Sequence, residues 1–315
     1  MSATTPLKHS RFLDTLSVGF LALVWGLAWP VAKVGLRDCD PFLFASLRSL
    51  VGGIFLYGWR YFKTNKEPFD RRTFWVAFVS GTCWVGIPMA FVSWAILYIN
   101  IGLGAILQST TPFFVALCAY YLLGDKQFSF AKTGGLVIGF VGIVVLFSDK
   151  PITDFSSLAV VGALAVLISS IFNGYGQVYA RKHFKGTDQF GFMTAILIIS
   201  GLETIPFSFI SGVPRVDLTL DLVLSTLYLG IMASAVPFAV YFALLVRVDI
   251  VILSMVGYVI PVIAVASGIV WFGETMSSTE ITGSVLVLVG VVLATQYDLV
   301  KTKILSWKTS KRVLS

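Results

Sequence analysis

Apolar and polar stretches alternate ten times along the chain. The apolar runs lie near residues 13–35, 42–62, 74–96, 103–123, 130–148, 158–179, 190–210, 220–246, 250–272 and 280–297. Each approaches or exceeds the ~20 apolar residues that a helix needs to cross a bilayer core. The pattern predicts an all-α membrane protein with ten transmembrane helices. The polar connections are short, and the longest, Arg60 to Arg72, cannot hold a soluble domain.

Lys and Arg set the direction of the spans. Eighteen lie in the two tails and the even-numbered loops, among them Arg60, Arg71, Arg72, Arg181 and Arg247. Three, Arg37, Lys150 and Arg215, lie in the odd-numbered loops. Positive residues stay on the cytoplasmic side, so both termini are expected there. Met1 to Arg11 is polar, and the apolar run behind it is too long for a cleaved signal.

The two halves repeat at an offset of 148–149 residues. Pro88-Met89-Ala90 aligns with Pro237-Phe238-Ala239, Pro112 with Pro261, Gly124-Asp125 with Gly273-Glu274, and Gly134 with Gly283. Gly26 aligns with Gly174, and Ala32-Lys33 with Ala180-Arg181. Five spans per half is an odd number, so the second half enters the membrane in the opposite direction. The expected units are 13–148, 158–297 and a basic cytoplasmic tail, 298–315. Inverted repeats are common in transporters, because two similar halves facing opposite ways give outward-open and inward-open states of similar energy. Six of the eleven prolines fall inside spans: Pro30, Pro88, Pro112, Pro206, Pro237 and Pro261. Proline removes a backbone hydrogen bond and favours a kink, and the freed carbonyl then needs a partner from protein or water. Of the six, Pro30, Pro88, Pro112, Pro237 and Pro261 are the expected kinks that shape a cavity.

Composition agrees with the hydropathy pattern. The chain is 57% hydrophobic and 12% charged, with mean hydropathy +0.88, against about 45–50% and about 25% in soluble domains. The net charge of +7 is accounted for by the topology signal, which removes the case for nucleic acid. Cys39, Cys83 and Cys118 have neither metal-ligand nor disulfide spacing, and no metal or cofactor is expected. The only histidines, His9 and His183, lie in cytoplasmic segments. With no carboxylate pair at mid-span, an intramembrane enzyme is disfavoured. No phosphate-binding GxxxxGK[ST] motif occurs.

Particular stretches carry a family resemblance. Val24-Trp25-Gly26 through Pro30 to Lys33, and Asp40-Pro41-Phe42 to Leu47-Arg48, resemble the opening of EamA-type members of the drug/metabolite transporter superfamily. The run Leu103 to Gly124-Asp125 around Thr111-Pro112-Phe113 resembles that family's fourth helix, and Val251 to Gly273-Glu274 around Ile260-Pro261-Val262 its second copy. Asp125 departs from the Gly-Glu usual there. The resemblance spans about Leu16 to Thr295. It implies ten helices in two inverted halves, with a cavity lined mainly by helices one, three, four, six, eight and nine and with helices five and ten peripheral. It also implies a bacterial inner-membrane permease for small metabolites. Amino-acid export is the first reading, and drug-like, nucleotide-linked or lipid-linked-sugar substrates (the last moved by a flippase) are the alternatives.

Lys33, Arg48 and Glu203 are candidate gating or coupling charges inside spans. Such charges are usually paired or functional. Lys33 is read either as a side chain snorkelling to the outer interface or as a cation at the cavity mouth. Arg48 and Glu203 sit at similar depth, so they are expected to pair or to serve gating or proton coupling. Gln108, Asn173 and Gln177 are candidates for substrate contact or for interhelical hydrogen bonds. Trp25, Trp84 and Tyr258 lie too deep for the interfacial aromatic belt and, with Tyr241 beside Pro237, are candidate pocket walls. Gly135-x-x-x-Gly139 in span five fits close helix packing or a homodimer face, which span ten is also able to supply. Gly139→Leu is expected to harm folding or assembly more than selectivity. The expected partners are thus a small-molecule substrate, lipid and a second copy of the chain.

Overall fold

The computed structural model describes residues 11–62, 70–123, 130–146, 158–185, 188–210, 212–245, 256–290 and 292–293. Gly124-Asp125, both tails and the side chain of Tyr258 lie outside the described residues. The chain forms α1 (Arg11–Gly35), α2 (Pro41–Tyr61), α3 (Arg71–Ala95) and α4 (Ile101–Leu123). These are followed by α5 (Phe130–Leu146), α6 (Leu158–His183) and α7 (Gln189–Ser208). Next comes α8, built from Leu220–Leu227, a π-helical stretch Tyr228–Ala235 and Val236–Leu245. Last are α9 (Val256–Phe272) and α10 (Ser278–Gly290). Among the described residues there is no strand, only an isolated antiparallel bridge between Cys39 and Val216. Seven helical stretches of 20–26 residues are long and apolar enough to cross a membrane, and Val259–Phe272 and Ser278–Gly290 are shorter apolar helices.

Helix starts repeat with the sequence. Asp40 accepts from Phe42 N–H and Leu43 N–H at the start of α2, and Asp188, 148 residues on, accepts from Gly191 N–H at the start of α7. Asp70 caps α3 through Thr73 N–H, and Thr219, 149 residues on, caps α8 through Leu222 N–H. Each side-chain oxygen satisfies an amide that the first turn leaves without a partner.

Close approaches repeat too. A methyl group on Gly53 would lie 2.7 Å from Ile198 Cγ1, and one on Gly201 2.6 Å from Leu50 Cγ. These contacts are equivalent under the 148–149-residue offset, with the halves exchanged. The same holds for Gly81 against the carbonyl of Ile196 (3.0 Å) and Gly230 against the carbonyl of Arg48 (2.7 Å). It holds again for Gly26 against Ile263 and Gly174 against Phe114. On the α2–α7 pair, residue 50 faces 201 and residue 53 faces 198, so these helices run antiparallel. A two-fold axis relating antiparallel neighbours lies across them, in the plane of any membrane they cross. The halves are therefore inverted copies.

The prolines behave in two ways. In α3 the stretch Gly81–Gly86 widens into a π-helix just before Pro88, and in α8 Tyr228–Ala235 does so just before Pro237. α4 is interrupted at Ser109-Thr110, and Pro112 sits in the first turn of its continuation, Thr111–Leu123. There a proline costs no helical hydrogen bond. By contrast, α1 and α9 continue as α-helix through Pro30 and Pro261, and α7 through Pro206.

The glycine face of α5 is occupied within the chain. A methyl group on Gly290 of α10 would collide with the backbone nitrogen of Gly139 and lie 2.5 Å from Gly135 O. One on Gly142 would lie 2.6 Å from Val287 N. Gly139 itself is roomier, its nearest neighbour being Gly290 Cα at 3.9 Å. Intrachain packing thus uses the Gly-x-x-x-Gly surface.

Candidate functional site

Pro237 has no N–H to give the carbonyl four residues back, that of Ala233. The indole Nε1 of Trp25, from α1, donates to this oxygen at 3.0 Å. Pro88 likewise frees the carbonyl of Trp84, and Asn173 Nδ2, from α6, donates to it at 3.3 Å. Trp25 and Asn173 are 148 residues apart, so they hold equivalent places in the repeat. Each comes from the opposite half to the carbonyl it satisfies. A proline-freed carbonyl inside an apolar bundle needs a partner, and repeat-equivalent side chains supply both partners.

The ties organise their surroundings. The Trp25 ring lies 6.0 Å from that of Tyr241 on α8. One turn earlier on α8, Phe238 meets Trp84 of α3 edge-on at 5.6 Å. An aromatic line therefore runs from α1 across α8 to α3. On the other side the wall is amide-lined: Gln177 donates to Asn173 Oδ1. Ser169 donates to Gln108 Oε1 at 2.8 Å, tying α6 to α4, while Gln108 Nε2 donates to Thr111 Oγ1 at 3.2 Å. Thr111 Oγ1 in turn donates to the carbonyl of Gln108 (2.8 Å). The candidate residues Trp25, Trp84, Tyr241, Asn173 and Gln177 thus gather around α3 and α8, with Gln108 tied in through α6. Tyr258 lies on α9, and its side chain is outside the described residues.

The charged candidates part company. Lys33 is held in an ion pair. Its Nζ lies 2.6 Å from Glu274 Oε1 and 4.9 Å from the ring centroid of Phe272. Arg48 and Glu203 do not form the expected pair. Arg48 is 6% exposed and makes no ion pair with any described residue. Glu203 accepts from Thr82 Oγ1 at 2.7 Å through Oε2, and its Oε1 is buried against Gly86 without a hydrogen-bond partner among the described residues. The two side chains differ in azimuth. On α2, Ser46, Leu50 and Gly53 face α7, whereas Arg48 and Val51 lie at the approach of α8. Glu203 lies against α3.

Three contributors escaped the sequence reading: Glu274, Phe238 and the carbonyl of Ala233. A signal existed for the last, since stepping four residues back from each proline names Trp84 and Ala233. Adding 148 to Trp25 then names Asn173.

Apolar helices in two inverted halves, broken at matched mid-helix positions, are the architecture of inverted-repeat membrane transporters. The chain belongs to the EamA-like transporter family, which it matches twice, over residues 16–148 and 160–296. It is 26% identical over 282 residues to the uncharacterized transporter YoaV of Bacillus subtilis, covering 89% of this chain and 96% of that one. It is 28% identical over 280 residues to the uncharacterized inner membrane transporter YedA of Escherichia coli K12, covering 87% and 88%. A protein of Salmonella typhimurium named "Probable amino-acid metabolite efflux pump" is 25% identical over 298 residues, covering 87% and 93%. A solved crystal structure shares the fold, with TM-score 0.60 at 19% identity over 91% of this chain and 98% of the other.

Proposed function

We propose that the protein is a secondary transporter of the cytoplasmic membrane that exports an amino acid or similar small metabolite by alternating access. In this reading all ten helices cross the membrane, both termini face the cytoplasm, and the chain has no enzymatic role. The observation that carries it is the pair of crossed ties. Each half's proline joint, in α3 and in α8, is held by a side chain of the other half, so a bend at one joint is coupled to the opposite half. The walls around these joints differ, one aromatic (Trp25, Tyr241, Trp84, Phe238) and one amide-lined (Asn173, Gln177). An amino acid offers a matching pair of ends. Arg48, buried and without an ion-pair partner among the described residues, is the cation available to a carboxylate, since a buried charge left alone is costly. Glu203, with one carboxylate oxygen unpartnered among the described residues, is the candidate for proton coupling.

The test is uptake of a pool of labelled amino acids by purified protein in proteoliposomes, with and without a pH gradient. Saturable uptake that falls with Trp25→Ala and Arg48→Ala supports the reading. A gradient effect that disappears in Glu203→Gln assigns the coupling. Absence of uptake for every amino acid overturns the substrate class and turns the search to drug-like, nucleotide-linked or lipid-linked substrates.

A further inference from the structure

Glu274 lies two residues beyond the end of α9. Gly273, at φ +62°, adopts the left-handed turn that a helix C-terminus favours and that glycine allows without cost. Its N–H bonds to Ile269 O at 3.1 Å, and Glu274 N–H bonds to Gly268 O at 3.2 Å. The turn folds the Glu274 side chain back over Gly268, where any Cβ would lie 2.5 Å from Oε2. The carboxylate then does two things. It binds Lys33 of α1 at 2.6 Å, and it accepts Ile101 N–H, at the first residue of α4, through Oε1 at 3.1 Å and Oε2 at 2.9 Å. Asn100 occupies the N-cap position of α4 but makes no side-chain cap bond there. Its amide donates instead to Thr275 O at 3.1 Å. A residue of the α9–α10 connection, in the second half, therefore caps a helix of the first. The arrangement suits both groups, because the N-terminus of a helix carries partial positive charge and orphan amides.

Below this contact the three helices are packed with no spare room. Methyl groups at Gly26, Gly102 and Gly104 would lie 2.6–2.8 Å from Ile263, Val265 and Trp29. The closure is confined to one end of α4. Ile101–Gln108 packs on α9, α6 and α1, whereas Thr111–Leu123 packs chiefly on α6, with the interruption at Ser109-Thr110 between them.

We propose that Glu274 is the latch of one access route. Its carboxylate, shared between Lys33 and the N-terminus of α4, holds the ends of α1, α4 and α9 closed, and it must leave both partners before that end opens. The inference rests on the alternating-access reading above and adds the residue that closes one face, the outer one in the proposed topology. Because cap and ion pair are lost together, removing the carboxylate is expected to shift the balance toward the open end by roughly tenfold.

The test reads accessibility and needs no substrate. In a full-length protein with Cys39, Cys83 and Cys118 replaced by Ser, Ala105→Cys is the reporter, since Ala105 is 1% exposed directly below the latch. Labelling by a membrane-impermeant maleimide from the outer side is expected to be slow in this parent. It should rise about tenfold in Glu274→Gln, which loses the pair and weakens the cap, and by less in Lys33→Met, where the carboxylate still caps α4. It should not change in Asp217→Asn, which breaks the exposed Arg215–Asp217 pair at the same end. The exchange Lys33→Glu with Glu274→Lys restores an ion pair but sets a cation against the α4 amides. A latch requires this protein to label fast, whereas a simple salt bridge predicts slow labelling. Ala163→Cys, at a 0% exposed site on α6, reports unfolding. Unchanged labelling in Glu274→Gln, or equal labelling of both reporters in Glu274→Gln and Lys33→Met, overturns the latch. Fast labelling of the Ala105→Cys reporter alone together with failed amino-acid uptake leaves the latch standing and refutes only the substrate class.

Discussion

In the first half the carbonyl freed by Pro88 is taken by the amide of Asn173. In the second, the carbonyl freed by Pro237 is taken by the indole of Trp25. The backbone problem is identical and the solutions differ in length. Helix spacing follows the difference. Three residues beyond Asn173, Gly176 lies so close to α3 that an added methyl group would collide with the backbone nitrogen of Trp84. Three residues beyond Trp25, the equivalent position is Ala28, which does carry a methyl group. A short amide reaches its carbonyl only if α6 comes close to α3, and glycine permits that approach. A long indole spans a wider gap, so α1 tolerates alanine. A symmetric frame is thereby given two unlike walls, which is what a transporter for an asymmetric molecule requires.

The largest effect is expected where the spacing is tightest. Gly176→Ala forces α6 off α3 against backbone that has nowhere to go, an overpacking cost of about 1–3 kcal/mol. Thermal unfolding in detergent should drop by several degrees and transport should fall with it. Its counterpart Ala28→Gly should cost about 1 kcal/mol, from helix propensity. Equal losses at the two positions would break the comparison.

The α5–α10 seam comes next. Gly290→Ala drives a methyl group into Gly139 and Gly135 and should destabilise by an overpacking penalty of about 1–3 kcal/mol. Gly139→Ala faces Gly290 Cα at 3.9 Å and should be near neutral. Size-exclusion chromatography of Gly290→Ala separates intrachain packing from self-association, because loss of stability without a change of oligomeric state is the expected outcome.

The ties themselves should follow. Trp25→Phe keeps an aromatic ring but removes the donor to Ala233 O, and Asn173→Leu removes the donor to Trp84 O. Hydrogen bonds between membrane helices are worth about 0.6 kcal/mol on average, while an orphaned buried carbonyl costs about 1–3 kcal/mol. A loss near 1 kcal/mol is expected for each, larger for Asn173→Leu because Gln177 also loses its partner. The smallest effect belongs to the exposed Arg215–Asp217 pair, where Asp217→Asn should change stability by less than about 1 kcal/mol.

Much of this was legible in the sequence. Hydropathy located the helices within a few residues: the run at 42–62 is α2, Pro41–Tyr61, and that at 190–210 is α7, Gln189–Ser208. The repeat offset was legible because it is written in glycines and prolines, residues chosen for backbone reasons that both halves share. Arg48 and Glu203 illustrate what was not. The rise of a helix gives depth from residue number alone, but which neighbour a side chain faces depends on packing between helices distant in sequence. Glu274 was hidden for a similar reason. It caps a helix that begins 173 residues earlier in the chain, and local capping rules look only a few residues away. Prolines flagged the joints in α3 and α8, yet nothing in their sequence separates them from Pro30 and Pro261, through which the helices continue.

The crossed ties make one claim that a single experiment reaches. Pro237→Ala gives Ala233 O a backbone N–H of its own helix, so the indole of Trp25 is no longer its needed partner. Thermal unfolding of the parent, Trp25→Phe, Pro237→Ala and the double variant forms a double-mutant cycle. The account predicts that Trp25→Phe destabilises the parent by about 1 kcal/mol and has little further effect once Pro237→Ala is present. Equal losses in both backgrounds would contradict it, because the indole would then act by its bulk and not by holding the carbonyl that the proline sets free.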